Sequence, residues 1–159
     1  MALVFQSGAL LNSLTVGENV GLYLTEHRLK KPVEIERIVT EKLDFLGLKG
    51  VKDRSPGELS GGMKKRVAIA RALVIEPAIL LADEPTGNLD SANSKRITQA
   101  LRELVDQHGQ TIIMVTHDPA VAEQADRVVY LLDGQVEREE TNRVTPVRPR
   151  RVEEPVPTK

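Results

Sequence analysis

The stretch ILLADEPTGNLD, residues 79–90, sets a short apolar run directly against two adjacent carboxylates, Asp83 and Glu84. A buried strand that ends in paired acids presents them to something charged. The common object is a magnesium ion on a nucleotide phosphate, because magnesium prefers oxygen ligands and keeps several waters. The natural companion is a loop of the form Gly-x-x-x-x-Gly-Lys-Ser/Thr, whose backbone N–H groups and lysine cradle the phosphates. No such sequence occurs among the 159 residues. Alone, an acidic pair before a Pro-Thr-Gly turn serves equally well as a plain strand cap.

The surroundings extend this reading. AILLA (78–82) is too short for a helix and reads as a buried strand. From Ser91 to His108 the apolar residues Ile97, Ala100, Leu101, Leu104 and Val105 recur with helical spacing, and Gly109 closes the helix. TIIMVT (111–116) reads as a second buried strand. Strand, helix and strand in so few residues make a βαβ unit, so the two strands are expected to be parallel. In an open parallel sheet, ligands bind beyond the carboxyl ends of the strands. Asp83-Glu84 and Thr116-His117 both fall there. Asp83 suits a magnesium ligand, Glu84 a base that polarises water, and His117 a holder of phosphate or water. By itself His117 reads first as an ordinary strand-end histidine.

Upstream, ALVF (2–5) is strand-like, and Thr15 with Glu18 forms a capping box opening a helix to about Leu24. A second helix comes after Pro32, with Ile35, Ile38, Val39, Leu43 and Leu46 on one face and Gly47 as its stop. DRSPGE (53–58) is a turn cluster, and a third helix is expected from Ser60 to about Ile75. Downstream, a short helix at 120–125 precedes a hairpin, RVVYLL-DG-QVE (127–137). From Glu139 onward, prolines and arginines replace apolar residues, which predicts a disordered tail over 139–159. Arg148, Arg150 and Arg151 are succeeded at once by Glu153 and Glu154, so a solvated tail is favoured over a polyanion-binding one.

Bulk properties narrow the function classes. A net charge of -1 argues against a general nucleic-acid surface, and the lack of cysteine excludes disulfides and thiolate metal sites. The apolar runs fall far short of the ~20 residues of a membrane helix. No basic n-region marks a signal peptide, so the expectation is a cytoplasmic chain.

LSGGMKKRVAIARAL (59–73) is the most specific segment. Ser60 as N-cap, two glycines and a helix start make an anion site of free N–H groups at the positive end of a helix dipole. Together with the strand ending in Asp-Glu-Pro, the sequence resembles the nucleotide-binding domain of ATP-binding cassette (ABC) transporters over about residues 2–138. Ser60-Gly61-Gly62 match the family's signature loop, ILLADE (79–84) its Walker B strand, and GNLD (87–90) its D-loop. His117 matches the switch histidine, and Gln6 the Q-loop glutamine that approaches magnesium and faces the membrane subunits.

The resemblance implies an α/β fold of P-loop NTPase type: a parallel sheet with flanking helices and a helical signature subdomain. Residues 10–75 would form the helical and signature part, and 76–138 the Walker B strand through the C-terminal hairpin. It implies ATP and Mg2+ as ligands, with Asp83 and Gln6 at the metal. Glu84 and His117 would be catalytic, and Gln6, Ser60, Gly61, Gly62 and Asp90 would bind nucleotide. Implied partners are transmembrane permease subunits and a second nucleotide-binding subunit, with the chain peripheral on the inner face of a membrane.

In the family, the ATP-binding strand, the P-loop and an adenine-stacking aromatic precede the Q-loop. No such segment lies within these residues, so an N-terminally truncated domain is expected. The missing strand would lie beside TIIMVT, leaving that strand unpaired on one side. The 3–27 region and the signature run resemble ATPases of lipid-trafficking importers that work with MCE proteins, whereas ADEPTGNLDS is closer to the lipoprotein-release and macrolide-export type. The two regions disagree; because the family's Q-loop and following helices face the membrane partner, the resemblance of that region makes lipid or another hydrophobic substrate the expected cargo. Two other readings stay open: a non-hydrolysing half that lends its signature to a partner's ATP, and a nucleic-acid-associated ABC ATPase. The single signature and the lack of heptads count against the latter.

Overall fold

The computed structural model describes residues 1–5 and 8–142. Gln6 and the arginines of the tail lie outside the described residues. Three parallel strands, β1 (Ala2–Val4), β2 (Ile79–Asp83) and β3 (Thr111–Val115), form one sheet in the order β1-β2-β3. The register pairs Ala2 with Leu80 and Leu80 with Ile112, then runs up to Asp83 opposite Val115. Alternation along each strand therefore sends Val4, Leu80, Ala82, Ile112 and Met114 to one face, where they join the core.

That core is built on α3 (Gly61–Leu73). Its Val67, Ala68, Ile69 and Ala70 are all buried, and the alanines let neighbouring elements approach closely. Against α3 pack α1 (Val16–Glu26) and α2 (Pro32–Phe45), while α4 (Ser91–His108) contacts both α3 and β3. The α1–α2 crossing is tight at Gly21, where an added Cβ would come within 2.9 Å of Ile35 Cγ2.

The caps anticipated from the sequence are present. Thr15 and Glu18 form the reciprocal capping box, Ser60 caps α3, and Gly109 ends α4 at φ 61°. The short α5 (Pro119–Ala122) begins with Asp118 as its cap.

Three expectations need correction. TIIMVT is not buried on both faces: Ile113 and Val115 are 54% and 61% exposed, because the helices cover only the other face among the described residues. The hairpin of β4 (Arg127–Leu132) and β5 (Gln135–Thr141) outlasts the expected boundary at 138, since Glu139 and Glu140 pair with Val129 and Val128. Arg127 also donates to the Glu139 carboxylate, which helps hold that extension. The third helix ends at Leu73, short of Ile75. The hairpin turn itself is the expected one, with Asp133 and Gly134 both at positive φ as a two-residue connection requires.

Asn19 is completely buried and holds the 11–15 loop to α1. Its side chain accepts from Leu11 N at 2.8 Å and donates to the carbonyls of Leu11, Leu14 and Thr15. Removing one partner from buried polar groups costs about 1–3 kcal/mol. Asn19→Ala is expected to lose that much stability in denaturant unfolding; a loss below about 0.5 kcal/mol, the range of surface changes, would show the loop to be held otherwise.

Candidate functional site

The equal lengths and in-step register of β2 and β3 bring their ends to the same level. Glu84 N donates to Val115 O at 2.9 Å, extending the pairing by one residue beyond Asp83. Immediately afterwards the chain turns sharply, with Glu84 at φ 47°. A side chain other than glycine in this left-handed region costs about 1–2 kcal/mol, and such strain persists only where surrounding contacts over-determine it. Here Glu84 O accepts from Gly87 N at 3.0 Å and from Lys65 Nζ at 3.0 Å, and Lys65 Nζ also donates to Gly87 O at 2.6 Å.

The turn aims the Glu84 side chain at His117, whose Nδ1 lies 2.6 Å from Glu84 Oε1. Glu84 is mostly shielded, while the His117 side chain is 79% exposed. The Glu84 carboxylate raises the His117 pKa above the usual imidazole value, first through this hydrogen bond and then through charge attraction. Thr116 and Asp118 frame the histidine, because Thr116 Oγ1 accepts from Asp118 N and Asp118 caps α5. A cleft of about 170 Å3 opens between these residues and 86–89. Ligand pockets usually measure about 300–1,000 Å3, so this cleft alone is smaller than a typical ligand site.

Asp83 is exposed beside this turn. No cluster of three or more His, Asp or Glu side chains suited to a metal occurs among the described residues. One accessible carboxylate fits a magnesium ion held mainly by water and phosphate oxygens.

The signature loop is seated on the segment just beyond the turn. An added Cβ on Gly62 would meet Asn93 Cγ and Oδ1 at 2.7 Å, and one on Gly61 would lie 3.6 Å from Leu89 Cδ2. Glycine at 62 therefore allows the close approach of the Asn93 side chain. Ser60 Oγ accepts from Met63 N at 3.3 Å. Asp90 accepts from Asn93 N and Nδ2, so it caps α4, and those bonds hold its carboxyl below the usual pKa.

The structure thus joins Glu84 with His117, and Gly61-Gly62 with residues 89–93. Sequence reasoning missed Lys65, Asn93 and Arg71. Arg71 donates to Ala9 O at 2.8 Å and Gly8 O at 3.0 Å, linking α3 to the loop after residue 7. Lys65 was legible in principle: it precedes Ala68 and Ile69 by three and four residues, which places it on the buried face of α3.

A histidine with a raised pKa stabilises the fold fully below its unfolded value of about 6.5, and that contribution is lost as pH climbs through the folded midpoint. In an NMR titration, the His117 ring is expected to show a midpoint above the ordinary value, and Glu84→Gln is expected to lower it. An unchanged midpoint in Glu84→Gln would contradict the contact.

Comparison with known proteins identifies the family and the fold. The ABC transporter family matches residues 1–87, more than half of the chain. The chain is 48% identical over 133 residues to the uncharacterised ABC transporter ATP-binding protein YvrO of Bacillus subtilis, covering 84% of this chain and 57% of that protein. It is 44% identical over 135 residues to the lipoprotein-releasing system ATP-binding protein LolD of Bacteroides fragilis, covering 84% of this chain and 61% of that protein. A dimeric post-hydrolysis structure of the ATP-binding cassette MJ0796, bound to ADP and Pi, superposes with a TM-score of 0.80 at 41% identity. That match covers 91% of this chain and 63% of the other. The chain therefore spans about three-fifths of the length of these relatives. Sheet, flanking helices and signature loop are those of an ABC ATPase, and the chain belongs to the ABC transporter ATP-binding family.

Proposed function

We propose that these residues form the signature and hydrolytic part of an ABC transporter's ATPase subunit. One observation carries the reading: the segment 84–93 meets both sites, with Glu84 at its start against His117 and Leu89 and Asn93 further along against Gly61 and Gly62. Glu84 draws a proton from the water that attacks the γ-phosphate, and His117 orients that water or the phosphate. Asp83 would hold a magnesium ion, with Gln6 approaching it; the ion supplies charge neutralisation on the phosphates when bound. Ser60, Gly61 and Gly62 would offer N–H donors at the start of α3 to a nucleotide held by a second subunit, and Asp90, which caps α4 through Asn93, would bind at the same interface.

The partners in this reading are permease subunits and a second nucleotide-binding subunit, which hold the chain at a membrane surface. No described helix is long and apolar enough to cross a membrane. The cargo we favour is lipidic, delivered by an importer with an MCE-type protein. The likeness of the 3–27 region supports this, and the lipoprotein-releasing relative is compatible with it. Other relatives are named for sulfate import, macrolide export and bacitracin export. A second reading is that the chain lends its signature to a partner's nucleotide without hydrolysing, since Ser60, Gly61 and Gly62 stand at the start of α3.

The test compares magnesium-dependent ATP hydrolysis by the 159 residues alone with hydrolysis by the same residues joined to a relative's phosphate-binding loop. We expect turnover only in the joined protein, and a loss of about 100-fold or more in its Glu84→Gln variant with ATP still bound. Normal turnover in Glu84→Gln would remove Glu84 from the role of base. A joined protein that binds ATP without turnover would favour the second reading.

A further inference from the structure

Glu84 keeps its left-handed backbone because several contacts meet on it, and one of these comes from a residue with no part yet in the proposed chemistry. Lys65 is a lysine only 8% exposed, in the second turn of α3. Its ammonium has no carboxylate partner among the described hydrogen bonds; it donates to two backbone carbonyls, Glu84 O at 3.0 Å and Gly87 O at 2.6 Å. These are the first and last residues of the turn that Gly87 N closes onto Glu84 O. The same helix begins with Ser60, Gly61 and Gly62, so one rigid element carries both the signature glycines and the cation that grips the turn.

We propose that Lys65 is a positioning residue for hydrolysis: its ammonium, set between the Glu84 and Gly87 carbonyls, fixes the turn that aims Glu84 at the rim and couples that aim to the signature helix. The inference rests on the reading of Glu84 as the base. Arg66 and Arg71 on the same helix also donate to backbone carbonyls, but at Leu46, Gly8 and Ala9, away from the Glu84–His117 pair. Lys65 instead donates to the carbonyl of the reacting residue itself. Displacement of the signature helix by a nucleotide would be felt at Glu84 through one side chain.

Two measurements separate this proposal from the reading beneath it. The first is hydrogen–deuterium exchange of the chain, comparing peptides over 83–90 with peptides over 36–45 in wild type, Lys65→Met and Lys65→Arg. Lys65→Met is expected to speed exchange at Glu84 and Gly87 by about tenfold or more with α2 unchanged, since local opening is independent of global unfolding; Lys65→Arg, which keeps donors and charge, recovers most of the protection. Equal exchange in wild type and Lys65→Met overturns the proposal, and so does equal acceleration of 83–90 and α2. The second is steady-state hydrolysis in the loop-joined protein. There Lys65→Met is expected to lower kcat about tenfold or more with KM for ATP held within about twofold, the pattern of a lost transition-state interaction, and Lys65→Arg to restore it. Hydrolysis that survives Lys65→Met undiminished, in a protein still dependent on Glu84, overturns the positioning role and leaves the functional reading intact. Absence of hydrolysis in the wild-type joined protein removes the functional reading, while the exchange result still decides whether Lys65 holds the turn.

Discussion

The register between β2 and β3 is the constraint on which the rest of the site depends. In a sheet the side-chain period is two, so a slip of one residue would exchange the buried and open faces of a strand. It would also change the offset between Glu84 and His117. Both ends of the pairing are pinned. At the start, buried Gln110 donates from Nε2 to Pro77 O at 3.0 Å, to Ala78 O at 3.3 Å and to Thr111 O at 3.1 Å, stapling the entry of β2 to the entry of β3. At the finish, the Glu84 N to Val115 O bond continues the ladder past the last paired residues. Beyond that bond the two chains part in different directions, one turning back through Gly87 and the other through Asp118, and the side chains of Glu84 and His117 meet between them.

Helix α3 is the second organiser. Its apolar face covers the sheet, and its long cations reach out to the backbone of three loops. Lys65 reaches the 84–87 turn, Arg71 reaches Gly8 and Ala9, and Arg66 reaches Leu46 O at 3.1 Å at the end of α2. Burial pushes all three of these cations below their usual pKa. A cation removed from water needs compensation, and here carbonyl oxygens at turns and helix ends supply it. Stability and site geometry are thereby carried by the same contacts, so loosening one of these loops should be transmitted through α3 to the others.

Much of this was legible in the residues. Helix starts were readable because Thr15 and Ser60 act locally, and the Asp-Gly turn because only left-handed residues close so short a hairpin. The Glu84–His117 meeting is implied once both are taken as strand-end residues of one parallel unit. Lys65 was hidden by its residue type: a basic residue in a basic stretch reads as solvated, and only the helical phase set by Ala68 and Ile69 reveals it. The role of Asp90 as a cap was masked by its agreement with a family motif. The part of Gly62 in packing against Asn93 depends on two helices converging, which no local pattern encodes.

The central claim is that the sheet register makes Glu84 and His117 one functional unit, and a double-mutant cycle tests it most directly. Hydrolysis would be measured in the loop-joined protein for wild type, Glu84→Gln, His117→Ala and the double variant. Residues that act as a unit give strongly non-additive losses. The account predicts a double variant no slower than Glu84→Gln alone, within about twofold of its turnover, as expected where one loss already removes the unit's function. Losses that simply multiply, each variant acting as though the other were absent, would contradict it.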